Sequence, residues 1–273
     1  MKKVSIIIAC YNHAEFLKQA FNSAINQDYP NLEVIIANDG STDNSLEVAN
    51  SFNLFPNAQV ISHENKGVVF ARNNAIKNST GDYIIPLDAD DYFASNNIIS
   101  KMVAKLEEEK ADLIFGNAKY FGKCNNILIK KNKGFSSLLI ENFIFVTSLF
   151  TRKIFDKVGG FSDKMQGGYE DWELFIRIAN KGKIHKIEET IFFYRTHNTS
   201  RNIEAEKKIA DLFNQCVLNN KEIYVENIAS IVSNLRENIT TLKQRIKSQK
   251  KIRKFITYFA LAELVLIMFL ILR

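Results

Sequence analysis

The sequence predicts an α/β fold built on a doubly wound, largely parallel sheet. In the first third of the chain, apolar runs of strand length alternate with helical patterns, and short polar connections join them. This alternation is typical of sheets with helices on both faces. The runs are continuously apolar, as expected of strands that are covered on both sides.

Four strands and the helices between them carry this pattern. The predicted strands are Val4–Ala9, Leu32–Asn38, Ala58–Glu64 and Asp82–Leu87. A capping-box pattern at Asn12–Glu15 opens a first helix that runs through Asn26, and Val68–Asn78 forms another. Pro86 has no N–H to donate, so we expect a bulge or turn near it.

Composition narrows the class of protein. The 273 residues suffice for one large domain, alone or with an appendage. Seven Lys or Arg residues in 242–254 account for the net charge of +6, so the remainder is close to neutral and no nucleic-acid partner is predicted. The chain has three cysteines, Cys10, Cys124 and Cys216, and no pair of them has the spacing of metal ligands. An odd number of cysteines fits a protein of a reducing compartment.

Polar clusters follow three of the predicted strands. They are "CYN" at 10–12, "NDGSTD" at 38–43 and "DADD" at 88–91. The carboxyl ends of parallel strands lie along one edge of a sheet, where ligands bind. Asp39 can accept a hydrogen bond there from a nucleobase or ribose. The carboxylates of 88–91 suit Mg²⁺ or Mn²⁺ shared with a diphosphate, although an acidic turn that caps the next helix remains an alternative.

Several motifs in order resemble family 2 glycosyltransferases with the GT-A fold. Residues 4–45 and 65–91, which contain "NDGSTDNS", "GVVFARN" and "PLDADD", look like the nucleotide-sugar half of that family. "GGFSDKMQGGYEDWELFIRI" (159–178) and "YRTHNTSR" (194–201) are similar to its acceptor half. The resemblance covers roughly residues 1–201 and implies a mixed α/β sheet of the GT-A type.

The resemblance implies a donor site for a nucleotide-sugar. The residues that it assigns to the nucleotide are Ala9, Tyr11, Asp39, Lys66, Arg72 and Asp88, the last at the ribose. Asp90 is assigned to a Mn²⁺ or Mg²⁺ ion that bridges the donor diphosphate, and His197 to the metal or the diphosphate. Arg195 and Arg201 could neutralise phosphates.

The same resemblance implies an acceptor site. Asp171 corresponds to the general base that deprotonates an acceptor hydroxyl, so one displacement would invert the anomeric carbon. Glu170 supports the site, and Asp91 is structural or lies near the acceptor. Trp172 either stacks on the acceptor sugar or packs in the core. Taken alone, the two acids could merely complement a helix dipole.

The motifs stop near residue 204, and two helical patterns follow at 205–220 and 226–246. Ile228, Ile231, Leu235 and Leu242 fall near heptad spacing, which favours a short hairpin or a weak coiled coil and makes a homo-oligomer possible. Residues 255–272 hold a single charge, Glu263, and predict a membrane anchor, with a helix buried in the protein or lying on the membrane as the alternative. The predicted domains are 1–203, a basic helical extension 204–254, and the anchor 255–272.

Together these features predict an inverting glycosyltransferase at the cytoplasmic face of the membrane. It would move a sugar from a nucleotide-sugar, a UDP-sugar in particular, to a hydroxyl of a glycan or lipid-linked acceptor in bacterial surface-polysaccharide synthesis. Two alternatives stay open: transfer to polyprenyl phosphate, and an inactive nucleotide-sugar-binding scaffold subunit.

Overall fold

The computed structural model describes residues 1–122, 126–129, 131–196 and 209–248. The chain forms two compact units. The first comprises residues 1–132 and 142–219, and the second comprises residues 133–141 and those from 220 onward. The boundaries predicted at residues 203 and 254 stay predictions.

The first unit is a mixed sheet flanked by helices. Its strands, over the described residues, are β1 (Val4–Cys10), β2 (Leu32–Asp39), β3 (Ala58–His63), β4 (Tyr83–Asp88), β5 (Tyr92–Phe93), β6 (Leu113–Gly122), β7 (Ile127–Leu128), β8 (Leu149–Thr151) and β9 (Ile184–Thr196). Its helices are α1 (Ala14–Ile25), α2 (Ser45–Asn50), α3 (Val68–Lys77), α4 (Ile98–Glu109), α6 (Arg152–Val158), α7 (Glu170–Lys181) and α8 (Ile209–Asn219). The strand order is β3-β2-β1-β4-β8-β6-β9-β5, with β7 paired to β6.

The predicted parallel half-sheet is confirmed. β3, β2, β1 and β4 are neighbours and all run parallel. In this register Ala9 lies beside both Ala37 and Asp88, and Asp39 lies beside His63. The polar residues at these strand ends therefore share one edge, as the sequence predicts.

The expected bulge at Pro86 is absent, because the proline lies where no ladder bond is required. β4 pairs with β1 without a register shift, and Pro86 lies opposite Ile7. The N–H of Tyr83 bonds toward β1 at the carbonyl of Lys3. Since these groups alternate sides along a strand, the nitrogen of Pro86 faces β8, which pairs only with the first two residues of β4.

The second half of the sheet is mixed. β8 runs antiparallel to both β4 and β6, whereas β9 runs parallel to β6 with register shifts around residues 115–118. Gly116 sits at this irregularity, where a Cβ atom would approach the Ile191 side chain to 2.7 Å. β5 pairs with the last part of β9, which places the turn after β4 beside the end of that strand.

Helix α1 begins at Ala14, inside the predicted capping-box sequence, but no side chain caps it. Asn12 has a positive φ of 55°, and its Oδ1 accepts a hydrogen bond from the N–H of Thr42 at 2.7 Å. Asn12 therefore bridges two loops and does not cap α1. The helix packs Leu17 and Phe21, among others, against the sheet.

A buried carboxylate fixes the opposite edge of the sheet, where the parallel strands begin. Glu33 accepts hydrogen bonds from Lys3 Nζ at 2.6 Å, Ser5 Oγ at 2.7 Å and Thr80 N at 2.6 Å, and the N–H of Gly81 lies 3.1 Å away. Burial alone would raise the pKa of Glu33, but these hydrogen bonds outweigh it and hold that pKa below its usual value. The network links β1, β2 and the entry to β4.

The second unit consists of three helices over its described residues: α5 (Phe135–Leu138), α9 (Lys221–Glu226) and α10 (Ile228–Ser248). Ile231 and Leu235 are buried, and Asn234 Nδ2 donates to Ser137 Oγ at 2.7 Å. Of the residues near heptad spacing, Ile231 and Leu235 thus pack within the unit, while Leu242 is 38% exposed. Self-association through these helices stays a prediction.

Among the residues that the structure describes, no helix is both long and apolar enough to cross a membrane. The longest of these, α10, has 21 residues, but it carries charged side chains such as Arg236, Glu237 and Lys243. On this finding, the single-pass C-terminal anchor and the location at the cytoplasmic membrane face predicted above are corrected. The segment 255–272, to which the anchor was assigned, lies outside the described residues.

The Glu33 network yields a stability prediction. Glu33→Gln removes the charge that Lys3 pairs with and turns an acceptor oxygen into a donor that faces other donors. We expect the free energy of unfolding at pH 7 to fall by about 2–3 kcal/mol in urea titrations followed by circular dichroism. Because the native pKa of Glu33 is depressed, the advantage of the wild type should disappear as the pH falls through that pKa.

Glu108→Gln is the matched control, because Glu108 pairs with Lys105 on the exposed face of α4. Its unfolding midpoint should equal that of the wild type. Equal losses in the two variants would contradict a special role for Glu33.

Candidate active site

The acidic turn after β4 is held by the end of β9. Asp91 is buried, and its Oδ1 accepts the N–H of Arg195 at 2.8 Å. The carbonyl of Asp90 accepts Arg195 Nε at 2.9 Å. Burial, followed by the nearby charges of Asp90 and Asp88, raises the pKa of Asp91 well above its usual value. Asp91 is thus held inside the turn by the backbone of β9, and its role stays a prediction.

Arg195 is itself fixed from several sides. Its Nη2 donates to Gln19 Oε1 at 2.7 Å, and its guanidinium lies 4.2 Å and 4.3 Å from the ring centres of Phe16 and Phe121. The residue therefore connects the acidic turn to α1 and to the end of β6. The N–H, Nε and Nη2 groups of Arg195 thus donate to other residues of the protein, whereas the sequence suggested that Arg195 could neutralise a phosphate.

The loop before α3 closes on Asp39 at the end of β2. Asp39 is buried and accepts the N–H groups of Lys66 at 2.8 Å and Gly67 at 2.9 Å, one on each oxygen. His63 Nδ1 lies 3.4 Å from the same carboxylate. Lys66 Nζ is 4.9 Å from the centre of the Phe70 ring. The amine that the resemblance assigns to the nucleotide therefore lies over a ring at the start of α3.

Gly40 permits this closure. It has a φ of +66°, and a Cβ atom on it would lie 2.4 Å from the backbone nitrogen of Asn65. At the neighbouring end of β1, Ala9 is half-buried and Tyr11 is 44% exposed. Tyr11 therefore presents an accessible aromatic ring at the sheet edge where the nucleotide is predicted to bind.

Arg72 joins the end of strand β4 to the start of helix α7. The side chain is 3% exposed; its Nη2 donates to Asp88 Oδ1 at 2.5 Å, and its Nη1 donates to Glu170 Oε1 at 2.8 Å. Asp88 ends β4, and Glu170 begins α7. Both carboxylates raise the pKa of Arg72 despite its burial, so the guanidinium remains charged.

Asp171 lies next to this ion pair, at the start of α7. It is half-buried, and its Oδ1 accepts the N–H of Trp172 at 2.7 Å. The protein packed around it, and then the charge of Glu170, raise the pKa of Asp171 to about 7, although Arg72 acts in the opposite direction. A carboxylate with a pKa near neutrality is suited to exchange protons.

Trp172 occupies the core. It is buried, with its ring centre 5.2 Å from that of Tyr169 and 5.6 Å from that of Phe213 on α8. Its ring is therefore in packing contacts, and stacking on an acceptor sugar stays a prediction. His197, assigned to the metal or the diphosphate, lies outside the described residues.

Sequence reasoning missed two residues that hold the site together, Asn73 and Gln19. Asn73 bonds to the backbone of Phe161, and Gln19 bonds to Arg195. Their partners are 88 and 176 residues away in the chain, so no local spacing signals them. The resemblance did name Arg72, Asp88 and Glu170, but not the ion pairs that join them.

The acidic turn fits a metal ion that is shared with a substrate. Among the described residues, no three His, Cys, Asp or Glu side chains lie close enough to hold an ion alone. Asp88 is bonded to Arg72, Asp91 is buried, and Asp90 is half-buried at the same edge. Mg²⁺ and similar ions often take one or two carboxylates and complete their shell with phosphate oxygens and water. The hard oxygen chemistry of Asp90 suits that kind of site.

Residues 5–226 match the family model described as glycosyl transferase family 2. This match spans most of the chain and includes every described residue of the site. The chain belongs to glycosyl transferase family 2.

Relatives within family 2 include larger proteins. The chain is 28% identical over 217 residues to the chondroitin synthase of Pasteurella multocida, an alignment that covers 75% of this chain. The same alignment covers 22% of that synthase, so the chain spans about a fifth of the length of this relative.

Solved structures support the fold expected of family 2. TarS of S. aureus in complex with UDP-GlcNAc superposes with a TM-score of 0.64 at 19% identity, covering 73% of this chain and 60% of that chain. The mannosyltransferase PcManGT of Pyrobaculum calidifontis, in complex with GDP-Man and Mn²⁺, gives 0.60 at 16% identity, covering 99% and 87%. These likenesses confirm the predicted mixed α/β, GT-A-like fold.

The closure of the loop on Asp39 can be tested at Gly40. Gly40→Ala combines a positive φ with a backbone clash against Asn65, so we expect unfolding in urea to cost about 3 kcal/mol. Gly159→Ala is the control, because Gly159 also has a positive φ but has open space around it. That variant should lose only about 1 kcal/mol. Equal losses would mean that the approach of residues 64–67 is unimportant.

Proposed function

We propose that the chain is an inverting glycosyltransferase that uses a nucleotide-sugar donor. The observation that carries the proposal is the buried Asp88–Arg72–Glu170 contact. It brings Asp171, a carboxylate with a raised pKa, next to the strand end where a donor is expected. Membership of family 2 supports the same reaction class.

The donor site would lie at the carboxyl edge of β1, β2 and β4. Ala9, Tyr11, Asp39 and Lys66 would surround the nucleotide, with Asp88 near the ribose. Their common sheet edge supports this arrangement. A uridine diphosphate sugar is the proposed donor, and the complex of TarS with UDP-GlcNAc supports it.

Asp90 would hold a Mn²⁺ or Mg²⁺ ion, and His197 is its proposed second ligand. When bound, such an ion supplies positive charge that stabilises the departing diphosphate. The Mn²⁺ complex of PcManGT supports a metal-dependent enzyme. Arg195 would keep the Asp90–Asp91 turn in place.

Asp171 would act as the general base. Its carboxylate would take the proton of an acceptor hydroxyl while that oxygen forms a bond to the anomeric carbon. The bond between this carbon and the nucleotide diphosphate would break on the opposite face, which inverts the configuration. Glu170 would not be the base, because Arg72 already holds its carboxylate.

The proposed acceptor is a hydroxyl of a glycan or of a lipid-linked intermediate in surface-polysaccharide synthesis. The likeness to a chondroitin synthase supports a polysaccharide product. A base of the Asp171 type favours a hydroxyl over polyprenyl phosphate, which is already ionised. The presence of Asp39, Asp88, Asp90 and Asp171 in one chain favours an enzyme over an inactive scaffold subunit.

Asp171→Asn should abolish sugar transfer but preserve donor binding, because the amide is nearly isosteric and cannot take a proton. In the wild type, kcat/KM should fall about tenfold per pH unit below about pH 7, since the carboxyl is protonated there. The same raised pKa means that the folded state loses stability as the pH rises toward 7, so the Asn variant should resist urea better above pH 7.

Asp163→Asn is the control, because Asp163 is an exposed acid in the same half of the chain. It should retain the wild-type rate and pH profile. Transfer by Asp171→Asn at more than about a tenth of the wild-type rate would remove Asp171 from the role of base.

Metal dependence is testable by slow hydrolysis of a panel of UDP-sugars. We expect UDP release with Mn²⁺ or Mg²⁺, its loss on chelation, and at least a hundredfold loss in Asp90→Ala, about the scale of one electrostatic contact in catalysis. Asp156→Ala, which removes an exposed acid from α6, should behave as wild type. Undiminished hydrolysis with chelator would contradict the metal proposal.

A further inference from the structure

Helix α3 contributes two adjacent side chains to the acceptor half of the chain. Arg72 reaches Glu170 at the start of α7. Asn73 binds the backbone of Phe161 with both amide atoms: Nδ2 donates to its carbonyl at 2.8 Å, and Oδ1 accepts its N–H at 3.1 Å. One turn of one helix thus holds both the start of α7 and the loop that precedes it.

The loop before α7 is also fastened to α7 itself. Arg177 donates to the carbonyls of Val158 at 2.5 Å and Gly160 at 2.7 Å, and its guanidinium pairs with Glu173. The ring of buried Phe161 lies 5.6 Å from the Arg72 guanidinium. The loop, α7 and α3 are therefore linked through side chains that are mostly buried, and movement of one requires movement of the others.

The ion pairs of Arg72 with Asp88 and Glu170 argue against phosphate binding by Arg72. Its guanidinium is 3% exposed and already shared by two carboxylates, and the side chain of Glu170 is only 7% exposed. If Arg72 turned toward a phosphate, its buried ion pair with Glu170 would be broken. Breaking a buried ion pair by removing one partner is strongly unfavourable.

We propose that Arg72, together with Asn73, is a positioning residue that sets the distance between the end of β4 and Asp171, and that it does not bind the nucleotide. This inference rests on the proposed function, in which Asp171 takes the proton. It replaces the nucleotide contact that the family resemblance implies for Arg72. We call the contacts of Arg72 and Asn73 with β4, α7 and the loop before α7 the brace. Loss of the brace should displace Asp171 from the acceptor, while the donor edge of the sheet is preserved.

The brace is tested first without any ligand, by a double-mutant cycle. Arg72→Met should lower the urea midpoint, because Glu170 and Asp88 lose their counter-ion. Adding Glu170→Gln to that variant should restore part of the midpoint, since the buried carboxylate that has lost Arg72 is then replaced by a neutral amide. Additive effects of the two changes would overturn the proposal.

Arg152 provides the matched control arginine. It is half-buried, but it donates to the carbonyls of Gly81 and Ile76 and to Ser79 Oγ at the opposite edge of the sheet. Combining Arg152→Met with Glu170→Gln should give additive midpoint shifts, which separates the specific pairing from a general loss of stability.

The second test separates rate from affinity in the full chain. For Arg72→Lys and Asn73→Ala, we expect kcat for UDP release from UDP-sugars to fall about a hundredfold, as for a reacting group displaced by about 1 Å. The dissociation constant of UDP with Mn²⁺, measured by calorimetry, should change less than twofold. Arg152→Lys should alter neither value. Asn73→Ala provides the same test if Arg72→Lys does not fold.

A tenfold weaker affinity of Arg72→Lys for UDP, with kcat unchanged, would overturn the proposal and make Arg72 a nucleotide ligand. A wild-type chain that neither binds UDP nor releases it from UDP-sugars would instead reject the proposed function. In that case the double-mutant cycle would still decide whether Arg72 couples β4 to α7.

Discussion

The ion pair of Arg72 with Asp88 and Glu170 is the interaction on which the site depends. Its two partners lie 16 and 98 residues away, one at the end of a central strand and one at the start of a helix. Because the guanidinium is almost fully buried, the strength of these contacts is little weakened by solvent. The relative positions of β4 and α7 are thereby defined where chemistry is proposed.

The same cluster accounts for the unusual chemistry of Asp171. Within the part of the chain that the structure describes, the carboxylates of Asp88, Glu170 and Asp171 all interact with the charge of Arg72. Arg72 is committed to the first two by hydrogen bonds, and burial, followed by the charge of Glu170, raises the pKa of Asp171. One arrangement of four residues thus both fixes the start of the helix and contains a carboxylate with a raised pKa.

The two edges of the parallel sheet divide stability and function between them. At the edge where the strands begin, Glu33 has all its strong partners within the chain, and its lowered pKa reflects a carboxylate stabilised in the charged state. At the opposite edge, Asp91 and Asp171 have raised pKa values, because burial and like charges outweigh their hydrogen bonds. Carboxylates whose charged form is disfavoured in this way are typical of functional sites.

Local pattern was sufficient for much of the fold. Continuous apolar runs gave the four parallel strands, and the polar residues that follow them had to meet at one edge. The cap assigned to Asn12 failed because that side chain bonds to Thr42 in another loop. The bulge at Pro86 failed because the demand for its N–H depends on how far β8 extends. Both outcomes are set by tertiary neighbours.

The candidate site shows the same division. Asp39, Asp90 and Asp171 could be singled out because each stands in a recognisable motif. The pairing of Arg72 with Asp88 and Glu170 could not be predicted, since it depends on how α3 is placed against β4 and α7. Trp172 was equally ambiguous from the sequence, because only packing decides whether an aromatic ring is buried or open to a sugar.

The most direct measurement is a crystal structure of the full chain with UDP and Mn²⁺. With nucleotide bound, our account predicts that the Arg72 guanidinium remains within hydrogen-bond distance of both Asp88 and Glu170, with Asp171 facing the donor. A guanidinium that has left Glu170 to contact a phosphate would contradict the account.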